Sequence, residues 1–470
     1  LGGEAAIMAV VDVIARETLL FAAVGFLIGG IDDLAIDLLF ALRRYRQWLE
    51  MPGNNRTMAW APGKPWQPQG PIAIFVPAWE EQAVIGAMLR HTLATLDHPD
   101  YRIYVGAYPN DSATIAAVAD VAGKDARIRL VVGTGPGPTT KADCLNTLWR
   151  ALLRDEAADG VKIRAVVLHD AEDVVHPAEL RIFDALIDRY QTVQLPVLPF
   201  VDRGSRLIAG HYCDEFAEAH TKQLVVRQNL GAGLPLAGVG CAIARDMLDR
   251  VAADLGGQPF DAGSLTEDYE LGLRVAGLGG RGILARVRET ADGPIVVVRA
   301  YFPATIDAAV RQKARWMTGI ALAGWDRIGW GRWHRLGDNW MRMRDRRAPI
   351  AVLVLTAAYI ALITGALSAG LHAIWGGAWI GANPVPIWLA WVNAVLLIWR
   401  LSMRALFTGA AYGRSEALWS LPRMVVGNII ALLAARRAMI DYIAMLRGRA
   451  LRWDKTAHAF PDFSDPGKSP

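Results

Sequence analysis

The chain has 470 residues, 53% of them hydrophobic, and a mean hydropathy of +0.23, which is too apolar for an ordinary soluble enzyme of that length. Its net charge of +4 does not point to nucleic acid, because the arginines cluster beside apolar stretches, at Arg43, Arg44 and Arg46, at 342–347 and at 447–452, as they do in cytoplasmic loops of membrane proteins. Three cysteines, Cys144, Cys213 and Cys241, lack metal-ligand spacing and read as reduced core thiols of a cytosolic compartment.

Residues 18–42 form the first apolar stretch, interrupted by Asp32, Asp33 and Asp37 and closed by Arg43-Arg44-Tyr45-Arg46. It is long enough to cross about 30 Å of hydrocarbon, and its basic end belongs in the cytoplasm. Asp33 and Asp37 share a helix face, so they are expected to face other helices or a polar cavity, or to lie at the interface. Most of the basic residues follow the apolar run, so a cleaved signal peptide is not expected.

From about 70 to 302 the composition is that of a soluble domain. Residues 72–76 are a buried strand running into Pro77-Ala78-Trp79-Glu80-Glu81, and Val84, Ile85, Met88, Leu89, Thr92 and Leu93 follow at helical spacing. A second strand at 101–105 leads to Tyr108-Pro109-Asn110-Asp111-Ser112, completing a βαβ unit that opens on one crevice. There Asp111 either accepts from a base or ribose or caps the 113–122 helix. A strand at 129–132 precedes Gly133-Thr134-Gly135-Pro136-Gly137-Pro138-Thr139-Thr140-Lys141, which lacks the Gly-Lys-Ser/Thr of an ATP-binding loop. Lys141 opens a helix, where it meets either phosphate or solvent.

The stretch that organises the centre is Ala165-Val166-Val167-Leu168-His169-Asp170-Ala171-Glu172-Asp173. Four apolar residues read as a buried parallel strand, and three carboxylates crowd the point where it leaves the sheet. Ligands of open α/β sheets bind beyond the carboxyl ends of strands, where acids can hold a hard divalent cation against phosphate. The plainer alternative is a solvated acidic turn. A helix is expected over 178–190, a strand over 192–198 and a helix over 216–226, with glycines 238 and 240 allowing close backbone approach. At Thr266-Glu267-Asp268 the alternatives are a helix start, with Ser264 and Glu267 at capping-box spacing, or a general base. Gly277, Gly279 and Gly282 match a dinucleotide fingerprint but follow a helix and precede a strand, so no such site is inferred. The segment around Val310-Arg311-Gln312-Lys313-Ala314-Arg315-Trp316-Met317, with Trp325, Trp330 and Trp333 beyond it, reads as a basic amphipathic helix on a bilayer, whose other face could clamp a diphosphate with Arg315 and stack a sugar on Trp316.

Two further spans are expected at 349–375 and 387–406, joined by a Gly/Pro/Trp loop. Residues 418–446 carry Arg423, Arg436, Arg437 and Asp441 and read as an interfacial or re-entrant helix, giving three spans, with four as the alternative.

Taken together, these pieces resemble a membrane-embedded family 2 glycosyltransferase of the cellulose, hyaluronan and chitin synthase type. The resemblance covers about residues 72–316 and rests on Asp170-Ala171-Glu172 in the place of the DxD, Thr266-Glu267-Asp268 as the TED, and Gln312-x-x-Arg315-Trp316 as the QxxRW. His-Asp-Ala-Glu-Asp and Trp453-Asp454-Lys455-Thr456-Ala457-His458 look most like the bacterial phage-adsorption branch of that family.

The resemblance implies an α/β GT-A-type domain, with a mixed, mostly parallel sheet flanked by helices, inserted between transmembrane and interfacial helices. It divides the chain into a membrane segment (1–46), a cytoplasmic transferase domain (47–305), interface helices with the QxxRW (306–348), membrane and interface helices (349–446) and a polar tail (447–470). Asp111 would contact the nucleoside and Asp170 would lie at the diphosphate. Asp170 and Glu172 would hold Mg²⁺ or Mn²⁺, with Asp173 a candidate alternative. Asp268, beside Glu267, would be the catalytic base, and Lys141, Gln312, Arg315 and Trp316 would bind donor and acceptor. Two departures stand out: Asn110-Asp111-Ser112 replaces the usual Asp-Asp-Gly, and DxD has become DxE. The implied function is inverting transfer from a UDP-sugar, N-acetylhexosamines among the candidates, to a β-linked surface polysaccharide at the bacterial inner membrane. An outer-membrane or periplasmic export partner would fit; nucleic acid would not. The alternatives are a single transfer to a lipid carrier and a non-catalytic scaffold or phage-receptor component.

Overall fold

The computed structural model describes residues 2–50, 58–59, 66–290, 292–376, 385–449 and 458–463. The Trp453–Thr456 run and most of the loop after residue 376 lie outside them. Helix α1 (Gly2–Glu50) is continuous and roughly 74 Å long at 1.5 Å per residue, far more than a bilayer core needs. After the two-residue strand β1 (Met58–Ala59), the central fold begins with β2 (Ile72–Pro77), α2 (Ile85–Thr95), β3 (Tyr101–Ala107), α3 (Ser112–Ala122) and β4 (Ile128–Val132). It continues with α4 (Lys141–Asp159), β5 (Ala165–Leu168), α5 (Glu179–Leu186) and β6 (Thr192–Gln194). Helix α6 (Ile208–Glu218) passes through a π-helical turn into α7 (Leu224–Asn229), and β7 (Cys241–Ala244), α8 (Arg245–Asp254), α9 (Glu267–Gly277), β8 (Gly282–Leu284) and β9 (Val287–Arg288) follow.

Seven strands form one sheet in the order β4-β3-β2-β5-β7-β6-β8, parallel except that β7 runs against both its neighbours, while β1 pairs with β9. Every residue of β2 is buried because both faces are covered, as the unbroken apolar run implied. Ile72, Ile74 and Val76 pack on one face with α2, α3 and α5, while Ala73 and Phe75 pack on the other with Leu145, Trp149 and Met247. β7 was not expected, since its glycine-rich approach hid a four-residue strand of which three residues are buried, and the strand expected over 192–198 stops at Gln194, where Pro196 ends the ladder.

Beyond the sheet lie α10 (Ile306–Trp316), α11 (Gly324–Ile328), α12 (Leu336–Arg346), α13 (Ala348–Trp375), α14 (Ile387–Tyr412) and α15 (Arg414–Leu446). Among the described residues three helices are long and apolar enough to cross a membrane: 3–47, 348–375 and 387–412. Helix α15 is not among them, and it packs instead along α10 through Ala434 and Ala438 against Ala314.

Asp32, Asp33 and Asp37 of α1 face cations of other elements. Asp33 Oδ1 lies 2.9 Å from Arg344 Nη2 and 2.5 Å from Arg347 Nη2, and Trp340 Nε1 donates to Asp32 at 2.7 Å. Asp37 pairs with buried Lys222 and accepts from Trp399 Nε1 at 2.8 Å. Lys222 also reaches Glu218 at 2.5 Å, and Glu218 pairs with Arg400 of α14. Removing one partner of such a buried pair costs about 3–5 kcal/mol, so these contacts fix the long helices on the central fold.

Candidate active site

β2 and β5 end level, Phe75 opposite Leu168, so residues 78–81 and 169–173 open on one edge of the sheet. Because β7 is antiparallel, with Cys241 opposite Leu168, the loop entering it lies on that edge too. Gly238 in this loop has φ +74°, and a Cβ there would lie 2.6 Å from Asp268 Oδ2. Only glycine lets the first turn of α9 bring Asp268 so close.

Behind the acidic loop sits a buried clamp. His169 Nδ1 is 2.9 Å from Asp173 Oδ2, and Nε2 is 2.6 Å from Glu179 Oε1. Burial alone would lower the imidazole pKa, but the Glu179 and Asp173 carboxylates reverse this and push it up to about 10. His169 is therefore a cation that donates from both nitrogens. Asp173 Oδ2 also accepts from the Asp170 N–H at 3.0 Å, so the clamp sets the backbone from which Asp170 and Glu172 project. Asp173 is consumed here.

Glu172 is buried, which pushes its carboxyl up to about 8 despite the opposing charge of His458. His458 Nδ1 lies 3.0 Å from Glu81 Oε1 and 3.2 Å from Glu172 Oε2. Phe463, five residues on, stacks on His91 of α2 at 4.5 Å, holding this segment against the domain. One ligand atom from each of Glu81, Glu172 and His458 lies within 4.8 Å of the others. Glu172 Oε2 is buried and receives no hydrogen bond among the described residues, and two carboxylates with an imidazole suit a divalent ion, so the residues fit a metal. Asp170 is drawn the other way, to Lys141 Nζ at 2.5 Å.

Lys141 is not a solvated first-turn lysine. Its ammonium also lies 3.9 Å from Glu267 Oε1, and although burial would lower its pKa, Asp170, Glu267 and Asp268 together raise it. Burial pushes Glu267 up to about 7, with Lys141 opposing, and raises Asp268 as well. The Ser264–Glu267 capping box does not form: Thr266 is the N-cap of α9, and Ser264 Oγ accepts from the Thr266 N–H and donates to Glu270.

Gln312, Arg315 and Trp316 line the same cavity as Lys141, Asp170, Glu172, Glu267 and Asp268. Gln312 Oε1 is buried without a hydrogen-bond partner among the described residues. Trp316 stands edge-on to Tyr212, ring centroids 6.1 Å apart, within an aromatic wall that includes Phe216 and Phe302. Asp111 is the exception. Its carboxylate accepts from the Glu80 N–H at 2.5 Å and, as N-cap of α3, from the Thr114 N–H, so it braces the turn after β2 and does not line the cavity. That turn is strained, with Glu80 at φ +52°.

Residues 68–319 match the family described as Glycosyltransferase like family 2, more than half of the chain. The chain belongs to glycosyltransferase family 2. It is 34% identical to bacteriophage adsorption protein B of Escherichia coli strain K12 and to bacteriophage N4 adsorption protein B of Escherichia coli O157:H7, in each case over 95% of this chain and 62% of the relative. The chain thus spans less than two thirds of the length of these relatives. A mannosyltransferase from Pyrobaculum calidifontis, solved with GDP-Man and Mn²⁺, superposes with a TM-score of 0.52 at 18% identity, covering 92% of this chain and 99% of that one. The fold of this family 2 member is GT-A-like, with apolar helices on both sides of the domain.

Sequence reasoning left His169, Glu179, Glu81 and His458 without roles. Glu81 sat in the turn after β2 and His458 in the terminal Trp-Asp-Lys-Thr-Ala-His run, but nothing local signalled that they meet 377 residues apart.

Proposed function

We propose that the chain is an inverting transferase that moves a sugar from a UDP-sugar to a growing β-linked cell-surface polysaccharide, with its catalytic domain on the cytoplasmic side of the bacterial inner membrane. The observation that carries this reading is that Asp268, Lys141 and the Gln312-Arg315-Trp316 face share one cavity with the acidic loop after β5. Arginines at the inner ends of the spans support the orientation, and the five-part division of the chain at residues 46, 305, 348 and 446 belongs to the same reading.

The acceptor hydroxyl attacks the anomeric carbon from the face opposite UDP, Asp268 takes its proton, and the bond from that carbon to the diphosphate oxygen breaks with its electron pair leaving on UDP. One displacement inverts the centre, turning a UDP-α-sugar into a β-link. Burial raises the Asp268 pKa, making it a stronger base than an exposed aspartate. Glu267, held by Lys141, stays behind it. Lys141 and Arg315 place positive charge where the diphosphate leaves, and Trp316 with its aromatic wall seats the acceptor ring. A Mg²⁺ or Mn²⁺ ion held by Glu172 and His458, with Glu81 or Asp170, would neutralise the departing diphosphate.

The test is UDP release by the purified chain across a panel of UDP-sugars, with Mg²⁺, Mn²⁺ or EDTA. Metal-dependent release with one sugar is expected, and Asp268→Asn should abolish transfer while leaving donor binding nearly unchanged. Donor binding lost in step with turnover would remove Asp268 from the role of base, and a panel on which no donor binds would remove the transferase reading itself.

A further inference from the structure

A second cavity, about 370 Å³, lies between the C-terminal end of α9 and residues 331–342, and shares no lining residue with the catalytic one. Its charge is lopsided. Asp338 is spent on Arg342 Nε at 3.0 Å and on the Gly233 N–H at 2.8 Å, and Arg342 also donates to the carbonyls of Ile328 and Gly329. That leaves Arg332 and Arg335, with His334 between them, on the open side, where no carboxylate pairs with either arginine among the described residues. Two unpaired guanidinium groups around a concavity suit a phosphate.

The side chains between and beside those arginines along the chain are not suited to water. Trp333 is 85% exposed, Leu336 76% and Trp330 50%, interleaved with those arginines. Aromatic rings beside basic residues occupy the headgroup level of a bilayer. The position agrees: α12 starts at Leu336, runs to Arg346 and passes directly into α13, the apolar helix that begins at Ala348, while its Trp340 and Arg344 grip Asp32 of α1. A free phosphate would account for the arginines and leave Trp333 and Leu336 in water. A lipid satisfies both.

The geometry points to this cavity as a docking site for the phosphate headgroup of an anionic phospholipid, held by Arg332 and Arg335, with its acyl chains running past Trp333 and Leu336. It would set the height and tilt of the catalytic domain on the bilayer without touching donor or acceptor.

The test uses the full detergent-solubilised chain, titrated separately with short-chain phosphatidylglycerol, short-chain phosphatidylcholine and inorganic phosphate, and read by hydrogen exchange over residues 329–337. Phosphatidylglycerol is expected to protect this segment at concentrations at least tenfold below phosphatidylcholine, and inorganic phosphate to protect it weakly. The double substitution Arg332→Gln/Arg335→Gln should weaken phosphatidylglycerol binding about 30-fold, the loss expected of two basic groups at an anionic surface, and leave UDP release in detergent unchanged. Trp333→Ser should weaken the lipid and leave inorganic phosphate as it was. Equal protection by both lipids, or an affinity unmoved by the arginine substitutions, would overturn headgroup recognition. Inorganic phosphate binding as tightly as phosphatidylglycerol would overturn the lipid in favour of a soluble anion.

Discussion

Replacing His169 by leucine tests whether the acidic loop after β5 is held from behind. The imidazolium lies within 2.9 Å of Asp173 and 2.6 Å of Glu179, and all three side chains are at most 2% exposed. Leucine fills most of the volume but leaves two carboxylates buried without their cation, which costs about 3–5 kcal/mol. Against a total domain stability of roughly 5–15 kcal/mol, that is a large fraction. It would lower the apparent melting temperature by about 6–20 °C, taking 2–4 °C per kcal/mol for a domain of this size. Because Asp173 also fixes the Asp170 N–H, Mn²⁺ binding measured by electron paramagnetic resonance in the presence of UDP should weaken tenfold or more even at temperatures where the variant is fully folded. His169→Gln, whose amide donates but carries no charge, should recover part of the metal affinity and less of the stability. His169→Leu/Glu179→Leu, which removes one of the stranded acids, should recover part of the stability. A leucine variant that melts with the wild type and binds Mn²⁺ equally well would refute the clamp.

Gly238→Ala should reduce turnover by one or two orders of magnitude with little change in donor binding, because the new methyl lies 2.6 Å from Asp268 Oδ2 at a backbone φ of +74°; steady-state kinetics would show it as a loss in kcat, and an unchanged kcat would mean Asp268 is not held where it acts. His458→Ala should raise the Mn²⁺ concentration needed for half-maximal binding about tenfold and leave the fold intact, since the ring is only partly buried and its segment keeps the Phe463–His91 stack. Acid should destabilise the domain through His220, whose burial, with Arg286 beside it, pushes its pKa down to about 3. The unfolded chain takes up that proton below about pH 6.5 while the folded one does not, so stability is full above 6.5 and falls as pH drops, by about 2 kcal/mol at pH 5. His220→Asn, which can still accept from the Val197 N–H, should flatten that part of the pH–stability curve; an unchanged slope would place the acid sensitivity elsewhere.

What could be read from sequence was what local pattern determines. The four apolar residues before His169 gave β5, and the helical spacing of Ile85, Met88 and Leu89 gave α2, because burial on one face imposes its period whatever the partner. The Gln312-Arg315-Trp316 spacing placed those side chains on one helix, and the helix does deliver them to the cavity. Strand β7 was missed because its signal is composition without period, and its direction is set only by pairing with β5 and β6. Asp111 was ambiguous for a physical reason. An aspartate at a helix start meets bare N–H groups whether or not a nucleotide is near, and here the backbone of Glu80 and Thr114 takes both carboxylate oxygens.

The acids of α1 carry the argument furthest. Asp32, Asp33 and Asp37 could equally have faced a polar cavity, since sequence gives their helix face and not their partners. Their cations come from segments far along the chain, Arg344 and Arg347 more than 300 residues on and Lys222 185 residues on. One set closes on the residues entering α13, the other on the π-helical turn after α6 and on α14. The second set reaches the aromatic wall around Trp316, because Tyr212 and Phe216 of that wall lie on α6, the helix that ends in Glu218. A charge buried in a helix long enough to cross a membrane is thereby tied, through Lys222 and Glu218, to the helix that carries two rings of the aromatic wall, where the proposed function seats the acceptor. Asp37→Asn would therefore be felt at the catalytic cavity as well as in the bilayer: it leaves buried Lys222 with Glu218 alone, a carboxylate that Arg400 also uses, and the strain falls on α6, which carries Glu218. The expected signature is a raised KM for acceptor with the donor KM unchanged, and equal effects on both would show that Asp37 supports the fold without setting the acceptor wall.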